Sequence, residues 1–357
     1  MRTFGVEEEL LLLDATTGEP RPLAPEILAA STQGDGFELT SEMEQEMIEV
    51  VSAPSADVDE LRARILAGRR AADDRARHLG ARAVALATSP VPTRPHPSVS
   101  PRYGAILERF RVLAEATLEC GLHVHVSIES ADEGVAVLNR IRSWVPVILA
   151  LSANSPFRGG EDTGYASFRH ILWHQWPTAG PLELFETAAD YEAVIDGLLG
   201  AGGILDDAQI YFDARLSRNH PTVEVRVADV CLDPEDTVTI AALIRGLVDS
   251  AAADWRAGEP PSRLPSPVIR LGSWMAARWG VRGDLSHPET GRAVPAAEAV
   301  NALVERSRPG LRRHGDLETV RDGVRAILER GTGAERQRAR YELTGALSGA
   351  ALGASTG

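Results

Sequence analysis

Residues Gly5–Asp14 read GVEEELLLLD, and the alternation within this stretch decides how the rest of the chain is read. In an extended strand alternate side chains share a face, so Glu7 and Glu9 project together and Leu11 and Leu13 continue that face. Val6, Leu10 and Leu12 line the other face, with Glu8 the odd acid among them. Two carboxylates side by side near an apolar stretch repel each other unless Arg or a cation neutralises them. A divalent metal is the economical solution, and a solvated strand face is the plain alternative. Outward from this strand, Leu122–Ile128 alternates as LHVHVSI and sets His123 and His125 on one face, a metal-ligand spacing that two structural histidines would also satisfy. Thr222–Val227, TVEVRV, places Glu224 beside Arg226, either as a surface pair or as a joint metal and phosphate contact. The acidic run holding Glu42, Glu44, Glu46 and Glu49 leads into a strand-like Ile48–Ser52, which lets Glu49 point into a sheet-lined cavity. Four polar-faced strands suggest a sheet with one concave face given to a site rather than to core.

The remaining pattern is mixed. Helices are expected over residues 58–83, 102–116, 134–152, 183–199 and 234–257, and near 268–279, 296–306, 317–330 and 334–348. Short strands are expected at 84–88 and 208–214. Two irregular stretches stand out: SPVPTRPHPSVSP (89–101), and residues 157–182 with Arg169, His170, Trp173, His174 and Trp176. The two tryptophans read either as a lid or as loop anchors. No Gly-rich phosphate fingerprint follows a strand, so a Rossmann or P-loop design is unsupported. An α+β fold with helices on one side of a mostly antiparallel sheet fits better. The chain is expected to form a single domain over 1–357, mostly helical from about 234, with a frayed tail at 349–357.

Composition excludes whole classes of chemistry. Among 357 residues, 51 acidic side chains stand against 37 basic ones, and the formal charge is -14. Every basic residue is Arg, for the sequence contains no Lys. A Walker lysine, a kinase-type strand lysine and a Schiff-base lysine are therefore impossible. Phosphate would have to be met by Arg, metal or backbone N–H groups. The acidic excess argues against a nucleic-acid partner, and no apolar run of membrane-spanning length occurs. Acids occupy the place where a secretory leader needs an apolar core, and two cysteines form no framework, so a cytoplasmic setting is expected.

Taken together, GVEEELLLLD, MIEVVSAP (47–54), CGLHVHVSI (120–128), ALSANSPFRGGEDTGYASFR (150–169), WPTAGP (176–181), TVEVRVADVCL (222–232) and the C-terminal GTGAERQR resemble the glutamate–cysteine ligase type 2 family of carboxylate–amine ligases. The resemblance implies a glutamine synthetase-like fold, in which a curved antiparallel sheet forms a funnel with helices outside. It implies ATP and Mg²⁺ or Mn²⁺ as cofactors, a glutamate-like acid and an amine such as cysteine as substrates, and an amide made through an acyl-phosphate. The family's metal carboxylates fall on Glu7, Glu9, Glu42, Glu49 and Glu224. His123 falls as a metal or phosphate contact, Arg226 meets the transferring phosphoryl group, and Arg169 is a second phosphate or carboxylate contact. His125 or a nearby carboxylate would take the amine's proton. The family's Gly-Thr-His-Pro segment reads Ala87-Thr88-Ser89-Pro90 here, which leaves the amine acceptor open, with His96-Pro97 as the shifted counterpart. A guanidine-type phosphotransferase, a metal-dependent hydrolase and a non-catalytic binding protein remain the alternatives, and a homo-oligomer stays open.

Overall fold

Strand β1 (Phe4–Asp14) is the axis of the molecule because it is paired along both edges. The computed structural model describes residues 1–29 and 33–353. One edge of β1 pairs with β4 (Met47–Ser52), which in turn pairs with β3 (Phe37–Ser41) and through it with β2 (Gln33–Gly34). The other edge pairs first with β6 (Gly121–Ser127) and then, beyond Glu8, with the shorter β5 (Ala81–Val84). A two-residue strand, β7 (Phe157–Arg158), pairs only with β8 (Glu161–Asp162) as a separate hairpin. The main sheet continues from β6 to β10 (Thr222–Asp229) and ends at β9 (Ala214–Leu216). Among the described residues every strand pairing within the main sheet is antiparallel.

The funnel implied by the resemblance does not form. The sheet is open: its path ends at β2 and β9, which are not neighbours, so it neither closes nor curls round a central opening. Closure requires edge strands long enough to hydrogen-bond across the gap, and these edges are two and three residues long. The sheet supplies one side of the polar cavity, and loops and short helices supply the rest.

The apolar face is covered by helices. Val6, Leu122, Val124, Val126, Val223 and Val225 pack against the helices Ala131–Ile141, Val145–Ser152 and Pro234–Arg256 in one continuous core. Pro234–Arg256 starts at Asp233, whose side chain accepts from the Glu235 N–H at 3.0 Å. It packs closely on Ala296–His314, where a Cβ on Gly310 would lie 2.2 Å from the Gly246 carbonyl oxygen. The second half of β1 joins a separate core with β3, β4, β5 and the helix Val58–His78. Among the described residues no single helix is long and apolar enough to cross a membrane.

Several elements differ from expectation. The strand expected at 84–88 ends at Val84, and that expected at 208–214 begins only at Ala214. The 134–152 helix breaks before Pro146, whose missing N–H is tolerated in the first turn of a new helix. The irregular 157–182 stretch contains the helix Phe168–Trp173, started by the Ser167 side chain. The tail expected to fray from 349 carries a short helix, Leu347–Leu352, and residues 354–357 lie outside the described residues.

Candidate active site

Strand register assembles the site. Glu9 lies opposite Glu49, and Glu49 opposite Thr40. Glu7 lies opposite His123, while His125 is opposite Glu224, itself opposite Arg215. Directly opposite residues in antiparallel strands present their side chains on the same face. Six strands therefore contribute side chains to one polar face. A cavity of about 350 Å³ opens on that wall, lined by Glu7, Glu9, Glu42, Glu49, His123, His125, Glu224 and Arg226. A β-bulge between Val225 and Ala228 redirects the strand just at Arg226.

The wall has two electrostatic halves. On the β6–β10 side the acids are compensated. His123 Nδ1–H donates to Glu7 Oε2 at 3.0 Å, and His125 Nε2 is 3.2 Å from Glu7 Oε1. Burial opposes the Glu7 charge, but these two histidines outweigh it and hold the carboxyl well below the usual range. Glu224 is bracketed by Arg226 and by Arg215 Nε at 2.8 Å, and despite burial these cations likewise depress it. Burial pulls His123 below the ordinary imidazole range, helped by the nearby Arg226 charge. For His125 burial acts in the same direction, yet Glu7 and Glu224 prevail and raise it.

On the β1–β4 side cationic partners are fewer: Glu9 accepts from the Gly121 N–H at 2.5 Å and lies 3.9 Å from His123 Nε2, while Glu42 and Glu49 have no ion pair among the described residues. One oxygen each of Glu9, Glu42 and Glu49 lies within 4.8 Å of the others. Burial, then the Glu9 charge, pushes the Glu42 carboxyl up to about 8. Glu49 is raised as well, by burial and then by Glu42, although Thr40 Oγ1 donates to it at 2.7 Å. Mutually repelling carboxylates at one wall of a cavity fit a hard divalent cation held through oxygen ligands. Arg226 adds the complementary charge: the residue is buried, and beside the pair with Glu224 its Nε has no partner, which suits an incoming anion.

The other expected residues are distributed differently. Arg169 does not line this cavity. Its guanidinium is buried against Gly121, where a Cβ would meet Nη2 at 2.3 Å, and lies 3.9 Å from Asp229. Asp229 accepts from the Asn154 N–H, Ser155 and Ser167 at 2.7–2.8 Å, while Gln337 Nε2 donates to the Asn154 carbonyl at 2.8 Å. The ALSANSP, VADV and GAERQR segments thus converge in one buried hub behind the site. Trp173 and Trp176 form a packed wall with Tyr211, at ring distances of 4.7 and 5.4 Å. His96 pairs with Glu46 at 2.6 Å and is not on the cavity wall. Glu8, the odd acid, is wholly buried in a forked pair with Arg69 at 2.6 and 2.9 Å.

Sequence reasoning missed Arg215, because the strand before β10 was placed too early. It also missed Glu44 and Glu119. Both Glu44 oxygens are buried without partners on the cavity wall, and burial pushes that carboxyl up to about 8. Glu119, on the same wall, is pushed up to about 7, chiefly by burial. Glu44 was visible in the acidic run, but nothing local separates it from Glu46.

The fold is shared with solved proteins. A glutamate–cysteine ligase from Francisella tularensis, crystallised with AMP, superposes with a TM-score of 0.72 at 11% identity, covering 99% of this chain and 87% of that one. A bifunctional glutathione synthetase from Pasteurella multocida gives 0.70 at 12% identity, over 99% of this chain and 52% of the other. Sequence relatives are much nearer. A protein of Paenarthrobacter aurescens provisionally named glutamate–cysteine ligase 2-1 is 52% identical over 348 residues, 96% of this chain and 91% of its own. A Streptomyces coelicolor protein with the provisional name glutamate–cysteine ligase 2 is 47% identical, over 97% of this chain and 96% of its own. The model of glutamate-cysteine ligase family 2 (GCS2) matches residues 3–352, and with relatives this similar along nearly the whole length, the chain belongs to that family.

Proposed function

We propose that the polar cavity joins a glutamate-like acid to an amine at the expense of ATP, with residues 3–352 acting as one catalytic unit in a reducing, cytoplasmic setting. The observation that carries this reading is the meeting of a crowded acid triad, Glu9, Glu42 and Glu49, with the guanidinium of Arg226 in the same cavity. That guanidinium pairs with Glu224 on one side while its Nε has no partner. In the reaction the γ-phosphoryl group passes to the acid's side-chain carboxylate, ADP leaves, and the amine then displaces phosphate to form the amide. Glu9, Glu42 and Glu49 would hold Mg²⁺ or Mn²⁺, with Glu7, His123 and Glu224 completing the ligand wall. When bound, the ions neutralise phosphate charge and orient the reacting groups.

Arg226 offsets the charge on the transferring phosphoryl oxygens, and its buried position makes that interaction stronger than it would be in water. Arg215 shares Glu224 with Arg226 and so fixes the orientation of the Arg226 fork. His125 has Nδ1 hydrogen-bonded to Thr222 Oγ1 at 2.9 Å and Nε2 3.2 Å from Glu7 Oε1, and the neighbouring acids raise its proton affinity, which makes it a charged positioning residue rather than the base. The amine's proton goes more readily to a buried carboxylate such as Glu119, whose raised proton affinity suits a base near neutral pH. Arg169 acts through its neighbours, holding the Asp229 hub.

The test is a phosphate-release screen with ATP and Mg²⁺, crossing glutamate and related acids with a panel of amines and identifying products by mass. Phosphate release that requires both an acid and an amine, with an amide as product, is the expected result. A stable phosphorylated product, or turnover indifferent to the amine, would overturn the reading.

A further inference from the structure

Behind the Trp173–Tyr211 wall lies a second cluster that the ligase chemistry leaves unused. His170 and His174 are four residues apart, and the His174 N–H donates to the His170 carbonyl at 3.1 Å, so one helical turn carries both imidazoles on one side. Their ring centroids are 3.8 Å apart. Asp213, immediately before β9, meets them, with His174 Nε2 3.0 Å from Asp213 Oδ1. One nitrogen of each imidazole and one Asp213 oxygen all lie within 4.8 Å of one another.

A simple His–Asp hydrogen bond accounts for only part of this arrangement. Asp213 is 4% exposed, and its Oδ2 is buried with no partner among the described residues. Buried carboxylate oxygens are normally satisfied. The hydrogen bond also leaves His170 unexplained, a buried residue whose imidazole is pressed against a second imidazole.

We propose that His170, His174 and Asp213 form a binding site for an imidazole-preferring divalent transition ion, with Zn²⁺ as the type, distinct from the carboxylate wall of the active site. Two histidines and one carboxylate are a donor set that zinc accepts with a further water ligand. Donor chemistry separates the two sites, because imidazoles select zinc-like ions whereas the all-carboxylate triad Glu9, Glu42 and Glu49 suits Mg²⁺. Ligands on tetrahedral zinc at about 2.0–2.2 Å lie roughly 3.3 Å apart. The His174–Asp213 separation is already close to that, so a modest approach of His170 completes the site. His174, 17% exposed, supplies the entry edge. The ion is a brace. It ties the helix bearing Trp173 to the segment whose Asp213 carbonyl accepts the Arg226 N–H at 2.9 Å, and it touches no substrate.

The experiment uses the purified full-length protein, exposed to Zn²⁺ in excess Mg²⁺, desalted and assayed for bound metal, with Co²⁺ as a spectroscopic probe. His174→Gln keeps an N–H donor for Asp213 but removes the imidazole ligand. Asp213→Asn is the second variant, should His174→Gln fail to fold. Wild type is expected to retain an equivalent of zinc that His174→Gln and Asp213→Asn lose and that Glu42→Gln keeps. Zinc should raise the wild-type melting temperature and leave that of His174→Gln unmoved, while wild-type Co²⁺ absorption in the visible disappears in the same variant. The site is refuted if wild type retains no zinc, if the folded His174→Gln protein holds as much zinc as wild type, or if Glu42→Gln is the variant that loses it.

Discussion

Replacing Glu42 by Gln removes one charge from the triad whose oxygens lie within 4.8 Å of one another. At that separation and an effective dielectric constant of about 20, each ionised pair would repel by ~3.5 kcal/mol. Proton uptake caps the cost. With the folded carboxyl at about 8 and an unfolded value of 4.5, keeping Glu42 at pH 7 costs about 3 kcal/mol, since each pKa unit is worth about 1.4 kcal/mol. The sign follows from the folded value being the higher one: the penalty is absent below the unfolded pKa, grows as pH rises, and is complete above the folded pKa. Metal-free Glu42→Gln should therefore be more stable than wild type by about 1–3 kcal/mol at pH 7 to 8, and nearly equal to it at pH 4.5. For a chain of this length that is a rise of ~1–4 °C in the melting midpoint. Phosphate release should fall by at least roughly 100-fold, the scale on which lost electrostatic contacts act. Mg²⁺ should raise the melting temperature of wild type more than that of the variant. Paired melts with chelator and with Mg²⁺, run beside the phosphate assay, check all three. A variant that melts below wild type without metal, or that gains equally from Mg²⁺, would refute the view that these acids repel one another until a cation joins them.

Two further outcomes follow from other parts of the molecule. Arg226→Ala should slow phosphoryl transfer by about 2–4 kcal/mol, a factor of roughly 30 to 1,000; rapid-quench measurement of that step at wild-type rate would remove Arg226 from it. Arg245, wholly buried, is held by Asp316 at 2.5 and 3.1 Å and lies 3.8 Å over the Phe4 ring. Arg245→Met should cost about 3–5 kcal/mol in denaturant unfolding by stranding the Asp316 carboxylate, and adding Asp316→Leu should recover most of that loss; a loss under 1 kcal/mol in the single variant contradicts the argument.

Legibility varied with how local the cause was. The period of two in β1, β6 and β10 marked Glu7, Glu9, His123, His125, Glu224 and Arg226 as face-sharing groups, and all six line the cavity. Arg169 looked equally plausible in the YASFR segment, yet it packs beneath Gly121, because its partner Asp229 lies 60 residues away in the chain. Glu8 and Glu9 are neighbours in one acidic run, but Arg69 neutralises Glu8 on the helical side of the sheet while Glu9 faces the cavity. The open sheet was hidden for a related reason. Whether edges meet depends on the length of β2 and β9 and on what covers them, and neither property is written in strand periodicity.

The sequence by itself therefore determined which side chains share a strand face, because backbone geometry dictates that spacing wherever a strand forms. Without lysine, it also determined that any phosphate must be met by Arg, metal or backbone N–H groups. Only the tertiary structure decided which acids are compensated and which are not. Strand order and register placed His123 and His125 against Glu7 and two arginines against Glu224, and left Glu9, Glu42 and Glu49 facing one another. Charge compensation falls steeply with distance, and those distances exist only once residues far apart in the chain have been brought onto one wall.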